Sequence, residues 1–223
     1  MADAGRVLIT GATGGAGGGV VAAFLDAGWR VAGVSRHDPP DEPAEVSWVR
    51  ADLADAEAAR GMVADAVDAL GGLDAIVCLA GGYSSAKLDE LSWADFEKQF
   101  ATSLRPTVES VLAALPELRQ SEAGAIVTIG AQTALKPGRN AGPYAAAKAA
   151  VATWSLSLAA GLKPSGVRVN CVLPGTVNTS ANRESMPEAK RDAWVEPRDL
   201  GSLIVYLCSP ASRPLTGTAI PIG

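Results

Sequence analysis

The run Arg6-Val7-Leu8-Ile9-Thr10-Gly11-Ala12-Thr13-Gly14-Gly15-Ala16-Gly17 passes from a short apolar segment through a glycine-rich turn into a stretch of helix formers. Glycines at such a junction let the backbone turn tightly and come close to a phosphate group. The amides around Thr13, Gly14, Gly15 and Ala16 and the positive end of the following helix would then face the anion. A tight turn with no ligand also uses glycine, but the strand–turn–helix context favours the phosphate reading. The glycines fit two spacings equally well, Gly11/Gly15/Gly17 and Gly11/Gly14/Gly17.

Outward from that turn, short apolar runs alternate with amphipathic stretches to the end of the chain. Strands are predicted at 6–10, 30–35, 46–50, 75–80, 125–130, 167–173 and 218–222, and helices at 17–27, 55–70, 93–118, 144–163 and 199–209. The 93–118 helix is expected to bend near Pro106. In the second helix Ala56, Ala59, Met62, Val63, Ala66 and Leu70 recur at helical spacing along one side. The runs Ala-Ile-Val-Cys-Leu-Ala and Ala-Ile-Val-Thr-Ile-Gly show no polar alternation, the mark of strands covered on both faces. Strand and helix in alternation imply α/β architecture: a parallel sheet with helices on both faces. No linker, repeat or low-complexity tract interrupts residues 1–223, which read as a single domain.

At 48% hydrophobic and 19% charged, the chain can build one sizeable core and is not of disordered composition. A net charge of −5 without a basic cluster argues against nucleic acid or an anionic membrane as a partner. Cys78, Cys171 and Cys208 lie in apolar runs and are odd in number, as expected of buried thiols in a reducing compartment. A single histidine, His37, excludes a His-based triad or metal cluster, so no metal is expected. No uninterrupted apolar run approaches the roughly 18 residues of a membrane span, and no signal peptide is visible. Cytoplasmic location is the expectation.

Two further places carry chemistry. Ser35-Arg36 ends the second strand, where an acidic residue would bond ribose hydroxyls and repel a 2′-phosphate. A hydroxyl and a guanidinium can instead hold that phosphate, which predicts NADP(H) in preference to NAD(H). Asp52 and Leu53, just past the third strand, are placed to touch the adenine, though Asp52 also suits a helix N-cap. Tyr144 and Lys148 stand four apart in Gly142-Pro143-Tyr144-Ala145-Ala146-Ala147-Lys148 and share a helix face. An ammonium beside a phenol favours the phenolate, so the Tyr144 pKa is expected to fall towards neutrality. A phenol so tuned can donate or accept a proton. An ordinary helix with an exposed Lys would show the same spacing.

With Thr10–Gly17, Leu79-Ala80-Gly81-Gly82, Tyr144/Lys148, Leu173-Pro174-Gly175 and Leu215-Thr216-Gly217 in that order, the whole chain resembles the short-chain dehydrogenase/reductase family. The resemblance implies a Rossmann-type, doubly wound sheet of seven strands binding NAD(P)(H), with Tyr144 as proton donor and Lys148 on the nicotinamide ribose. It implies that Ala80, Gly81 and Gly82 lie along the adenosine side, and that Pro174, Gly175, Val177 and Thr179 lie near the carboxamide. Family members usually self-associate, so a homodimer or homotetramer is expected. The small-residue face of Ala145, Ala149, Ala152 and Leu156 is its candidate contact.

The sequence departs from the family pattern twice: Ala131 stands where a Ser usually bonds the substrate carbonyl, and Ser103 where an Asn usually holds a relay water. Both departures resemble the quinonoid dihydropteridine reductase branch. So do Gly130–Leu135, the Ala80-Gly81-Gly82-Tyr83 turn, and the run 182–189 followed by Trp194. This branch commonly prefers NADH, so its cofactor preference is not carried over. A quinonoid dihydropterin is an electron-poor ring that takes hydride readily and spreads the resulting charge. Tyr144 alone can then suffice, with Tyr83, Ala131, Gln132 and Trp194 expected to face the small-molecule substrate. The rival readings are a broad carbonyl or quinone reductase using Thr133 or Gln132 in place of Ser, and a non-catalytic dinucleotide sensor.

Overall fold

Seven parallel strands form one sheet in the order β3-β2-β1-β4-β5-β6-β7 in the computed structural model, which describes residues 5–38, 43–53 and 56–223. The strands are β1 (Arg6–Thr10), β2 (Arg30–Ser35), β3 (Val46–Arg50), β4 (Ala75–Cys78), β5 (Ala125–Ile129), β6 (Arg168–Pro174) and β7 (Thr218–Ile222). The helices are α1 (Gly17–Asp26), α2 (Ala56–Leu70), α3 (Trp93–Ser103), α4 (Arg105–Leu118), α5 (Gly142–Leu162), α6 (Ser180–Ser185) and α7 (Pro197–Cys208). The expected helix start at Asp55 lies outside the described residues. The α/β architecture and the seven-stranded, doubly wound sheet are as expected.

Burial explains why the central strands lack polar alternation. On one face Leu8, Ala32, Ile76 and Ile126 pack under α2, α4 and α5 through Met62, Leu70, Val111, Leu118 and Ala159. On the other, Val7, Ile9, Val77 and Val127 pack under α1 and α7 through Val20, Phe24, Leu200 and Ile204. All three cysteines are buried free thiols.

Several element ends differ from expectation, each for a local reason. The predicted strand 75–80 stops at Cys78, because Leu79 and Ala80 leave β5 and bond back to Thr10 instead. The 93–118 helix breaks at Leu104, since Pro106 in the first turn of α4 has no N–H for the Thr102 carbonyl. The missed helix α6 is a six-residue turn capped by Thr179, whose hydroxyl accepts from the Asn182 amide. Over its most apolar window, the stretch Gly142–Ser165 has a mean hydropathy of 1.2, enough by length and composition to cross a membrane. Yet Ala147, Lys148, Val151, Ser155 and Ala159 are all buried in the fold. The small-residue stripe of this helix is divided: Ala145 is buried, whereas Leu156 is 40% exposed.

Only the residues from Arg36 to Glu45 join β2 to β3, too few for the usual crossover helix. Trp48 of β3 lies against Gly33 of β2. A Cβ on Gly33 would lie 2.6 Å from the Trp48 ring.

Two glycines test this packing in opposite directions. A Cβ on Gly201 of α7 would stand 2.7 Å from the Ala23 Cβ of α1, whereas one on Gly61 of α2 would meet nothing within 4 Å. Gly201→Ala should therefore cost about 1–3 kcal/mol in urea unfolding. Gly61→Ala should add roughly 0.5–1 kcal/mol.

Candidate active site

The sheet order reverses between β1 and β4, which opens a crevice at the strands' carboxyl ends. Gly11 turns the chain there with φ +69°, and a Cβ on it would lie 2.8 Å from the Ala80 nitrogen. Thr10 fastens the same point, its Oγ1 accepting from the Ala80 amide at 3.2 Å. Steric pressure falls on the glycines of both spacings. A Cβ on Gly15 would press on Thr179 at 2.9 Å and one on Gly17 on the Ala12 carbonyl at 2.1 Å. One on Gly14 would approach no closer than 3.1 Å.

The turn passes a simple test for a dinucleotide. Gly14 and Gly17 spend their amides on the carbonyls of Gly11 and Gly14, while those of Thr13, Gly15 and Ala16 have no acceptor among the described residues. The first turn of α1 carries no acidic side chain, so its positive end is not neutralised. Three unpaired donors at that end suit a pyrophosphate.

From this turn a groove of about 1410 Å³ runs beside α1, walled by Thr13, Gly14, Gly15, Ser35 and His37 and reaching Trp29 and Trp48. His37 is a wall that sequence reasoning missed; its amide donates to Ser35 Oγ at 3.3 Å. Arg36 is exposed and bonds to nothing among the described residues, which leaves its guanidinium available. Asp52 is exposed just past β3, and its alternative role as the N-cap of α2 falls on a stretch, 54–55, outside the described residues. Leu53 is 6% exposed and packs in the core under α2, so its side chain is not among the groups that face the groove.

Beyond Ala80 the chain crosses the floor of the crevice. A Cβ on Gly81 would lie 3.4 Å from Lys148 Nζ and 3.6 Å from Ser103 Oγ. The next residues, Gly82 and Ser84, are held by Gln99 of α3, a second residue missed from sequence. Its amide donates to the Gly82 carbonyl at 2.6 Å and its Oε1 accepts from Ser84 Oγ at 2.6 Å. A glutamine within the helix's buried face, four residues before Ser103, was the available signal.

Tyr144 and Lys148 do share a face of α5, but not as an ion-tuned pair. Lys148 is 6% exposed and its Nζ donates to the Ile129 carbonyl at 2.8 Å. It stands 6.0 Å from the Tyr144 ring centre. Burial pushes the Lys148 ammonium down to about 8. Burial, helped by the neighbouring Tyr83 phenol, pushes Tyr144 up to about 12, against the expected fall. With the ammonium 6.0 Å from the ring centre, desolvation decides the phenol's direction. The Tyr83 ring meets Tyr144 edge-on, 5.0 Å between centres at 75°.

Ala131 is buried at the end of β5, with no polar atom to offer from its side chain. Gln132 turns away: its Nε2 donates to the carbonyls of Ile222 at 3.0 Å and Gly223 at 2.8 Å, so its amide is committed to β7. Thr133 Oγ1 is buried without a partner among the described residues. Past β6, the Gly175 amide donates to Ile222, and Val177 bridges to Val195. These contacts carry Thr179 to the Gly15 turn. Pro174, Gly175, Val177 and Thr179 thus lie on one arm over the crevice. Trp194, by contrast, packs under the Arg191 guanidinium at 5.6 Å, with no recorded contact to Tyr83 or Tyr144.

Residues 5–190 match the short chain dehydrogenase family. L-rhamnose 1-dehydrogenase (NAD(P)(+)) of Azotobacter vinelandii is 32% identical over 183 residues, which cover 77% of this chain and 72% of that one. L-fucose dehydrogenase of Oryctolagus cuniculus is 30% identical over 226 aligned positions, an alignment that covers 92% of this chain and 79% of that one. The solved structure of ElxO with NADP bound has a TM-score of 0.91 at 25% identity, covering 99% of this chain and 97% of that one. On the matched span, the sheet and the crevice motifs together, the chain belongs to the short chain dehydrogenase family.

Proposed function

We propose that this chain is an NAD(P)H-dependent oxidoreductase that passes hydride to a conjugated ring such as a quinonoid dihydropterin. The observation that carries the reading is the aromatic edge that Tyr83 sets against Tyr144, together with a buried Ala131 where the family pattern has a hydroxyl. A plain ketone concentrates charge on one oxygen and gains from a second donor. A conjugated ring spreads that charge and lies flat against an aromatic wall.

Bound along the Thr13–Gly17 turn, a nicotinamide dinucleotide supplies the hydride. The amides of Thr13, Gly15 and Ala16 bind its phosphates, and Ala80, Gly81 and Gly82 form the floor beneath it. Lys148 holds its ammonium beneath Gly81. Tyr144 Oη gives the one proton that the ring takes up with the hydride and regains it from solvent. Tyr144→Phe should lower kcat by about 10²–10⁴-fold while the cofactor dissociation constant holds. Near-full turnover in that variant sinks the role.

The relatives' names favour a second reading, oxidation of a sugar ring. Assaying NADPH and NADH against quinonoid dihydropterin, a quinone and a ketone, and NADP⁺ against L-rhamnose and L-fucose, separates the two. Turnover confined to the sugars overturns the ring reading.

NADP(H) preference is supported by Ser35 and the uncommitted Arg36 beside the groove. Arg36→Asp should reverse the ratio of the two Michaelis constants; an unchanged ratio refutes the assignment.

Self-association is supported by Leu112 of α4 and Leu156 of α5, 51% and 40% exposed on helices that share a face of the sheet. Light scattering should find a dimer or tetramer that Leu156→Glu weakens. A wild-type monomer rules this out.

A further inference from the structure

Gln99 is 2% exposed, and its side-chain amide is committed to other parts of the chain. Nε2 donates to the Gly82 carbonyl at 2.6 Å and to Ser103 Oγ at 2.9 Å, and Oε1 accepts from Ser84 Oγ at 2.6 Å. A buried amide is costly unless paired, and a leucine would fill the same space with no such demand. Two of its three bonds grip the segment that follows β4, one on each side of Tyr83.

That segment is pinned twice. Thr10 holds its start through the Ala80 amide, and Gln99 holds its second half. Tyr83 has little support of its own: it is 65% exposed, and its recorded ring contact is the edge of Tyr144. The glycines before it impose no rotamer and few backbone limits.

We infer that Gln99 is a positioning residue that sets Tyr83 against Tyr144, so that α3 fixes the aromatic wall of the substrate cleft while Thr10 fixes the cofactor half of the same segment. The inference rests on the reading of Tyr144 as proton donor to a flat ring.

Gln99→Met keeps the length of the side chain and removes every hydrogen bond. With the best acceptor of the panel, it should raise the acceptor's KM by about ten-fold and leave kcat within about three-fold. The dissociation constant of NADPH, read by tryptophan fluorescence, should stay within about two-fold. Tyr83→Ala should raise KM by a similar factor, and the double variant should do no more than either alone. Multiplying effects, or equal loss of cofactor and acceptor affinity, would show that Gln99 merely holds the fold and overturn the inference. If Gln99→Met does not fold, Ser84→Ala removes one of the three bonds and must show the same split at about three-fold; no split overturns it too. The ring reading is judged separately, on the wild type: turnover of quinones without pterins defeats the pterin substrate and leaves this cycle measurable.

Discussion

The ligand-facing edge of the molecule hangs from the close approach of Gly11 to Ala80. Two parallel strands part at this point, and the turn after the first must clear the backbone leaving the second. A Cβ at Gly11 would overlap the Ala80 nitrogen, so only glycine passes. Thr10 then closes the seam by taking the Ala80 amide. Both segments that frame the crevice, the phosphate turn and the floor, are thereby set from one spot. The remaining walls are added to it: Thr179 leans on Gly15, Lys148 lies beneath Gly81, and Gln99 grips Gly82.

Electrostatics in the crevice are governed by burial more than by pairing. Lys148 is buried and bonds a neutral carbonyl, and desolvation outweighs what the Cys171 and Cys78 thiols contribute to its charged form. Tyr144 is held neutral by the same dryness. In the cofactor-free chain the phenol therefore stays protonated, the form that a proton donor must hold. A phenolate base would need a nearer cation than an ammonium 6.0 Å from the ring centre.

Much of this was legible in the sequence because it follows from local rules. Unalternated apolar runs mark strands buried on both faces, and the Gly-rich junction marks the crevice. Pro106 marks a helix break to within two residues. What escaped depends on contacts between distant segments. Leu53 reads as a loop residue beside an adenine, yet its side chain is drawn into the core under α2. Gln132 reads as a polar group facing substrate, yet its amide is taken by the end of β7, 90 residues away in sequence. The Tyr144 shift went astray because spacing on a helix states which residues share a face, not how deeply the phenol is buried or how far the ammonium stands from it.

The loss at position 131 and the aromatic at position 83 make sense as one adaptation. A Ser hydroxyl in place of the Ala131 methyl would sit in a 6% exposed site, where it would need a partner whenever substrate was absent. Gln132, the nearest amide, is already bound to β7 and would not serve. Against an apolar ring, that idle hydroxyl would cost desolvation and return little, since the charge of the reduced ring is not lodged on a single oxygen. An edge-on aromatic asks for no hydrogen bond and gains about 0.5–1.5 kcal/mol from a well-placed ring partner. Its one requirement is a fixed orientation, and the side-chain-free backbone of Gly81–Gly82 cannot provide it. A buried amide on α3, paired at both its nitrogen and its oxygen, supplies that orientation from behind.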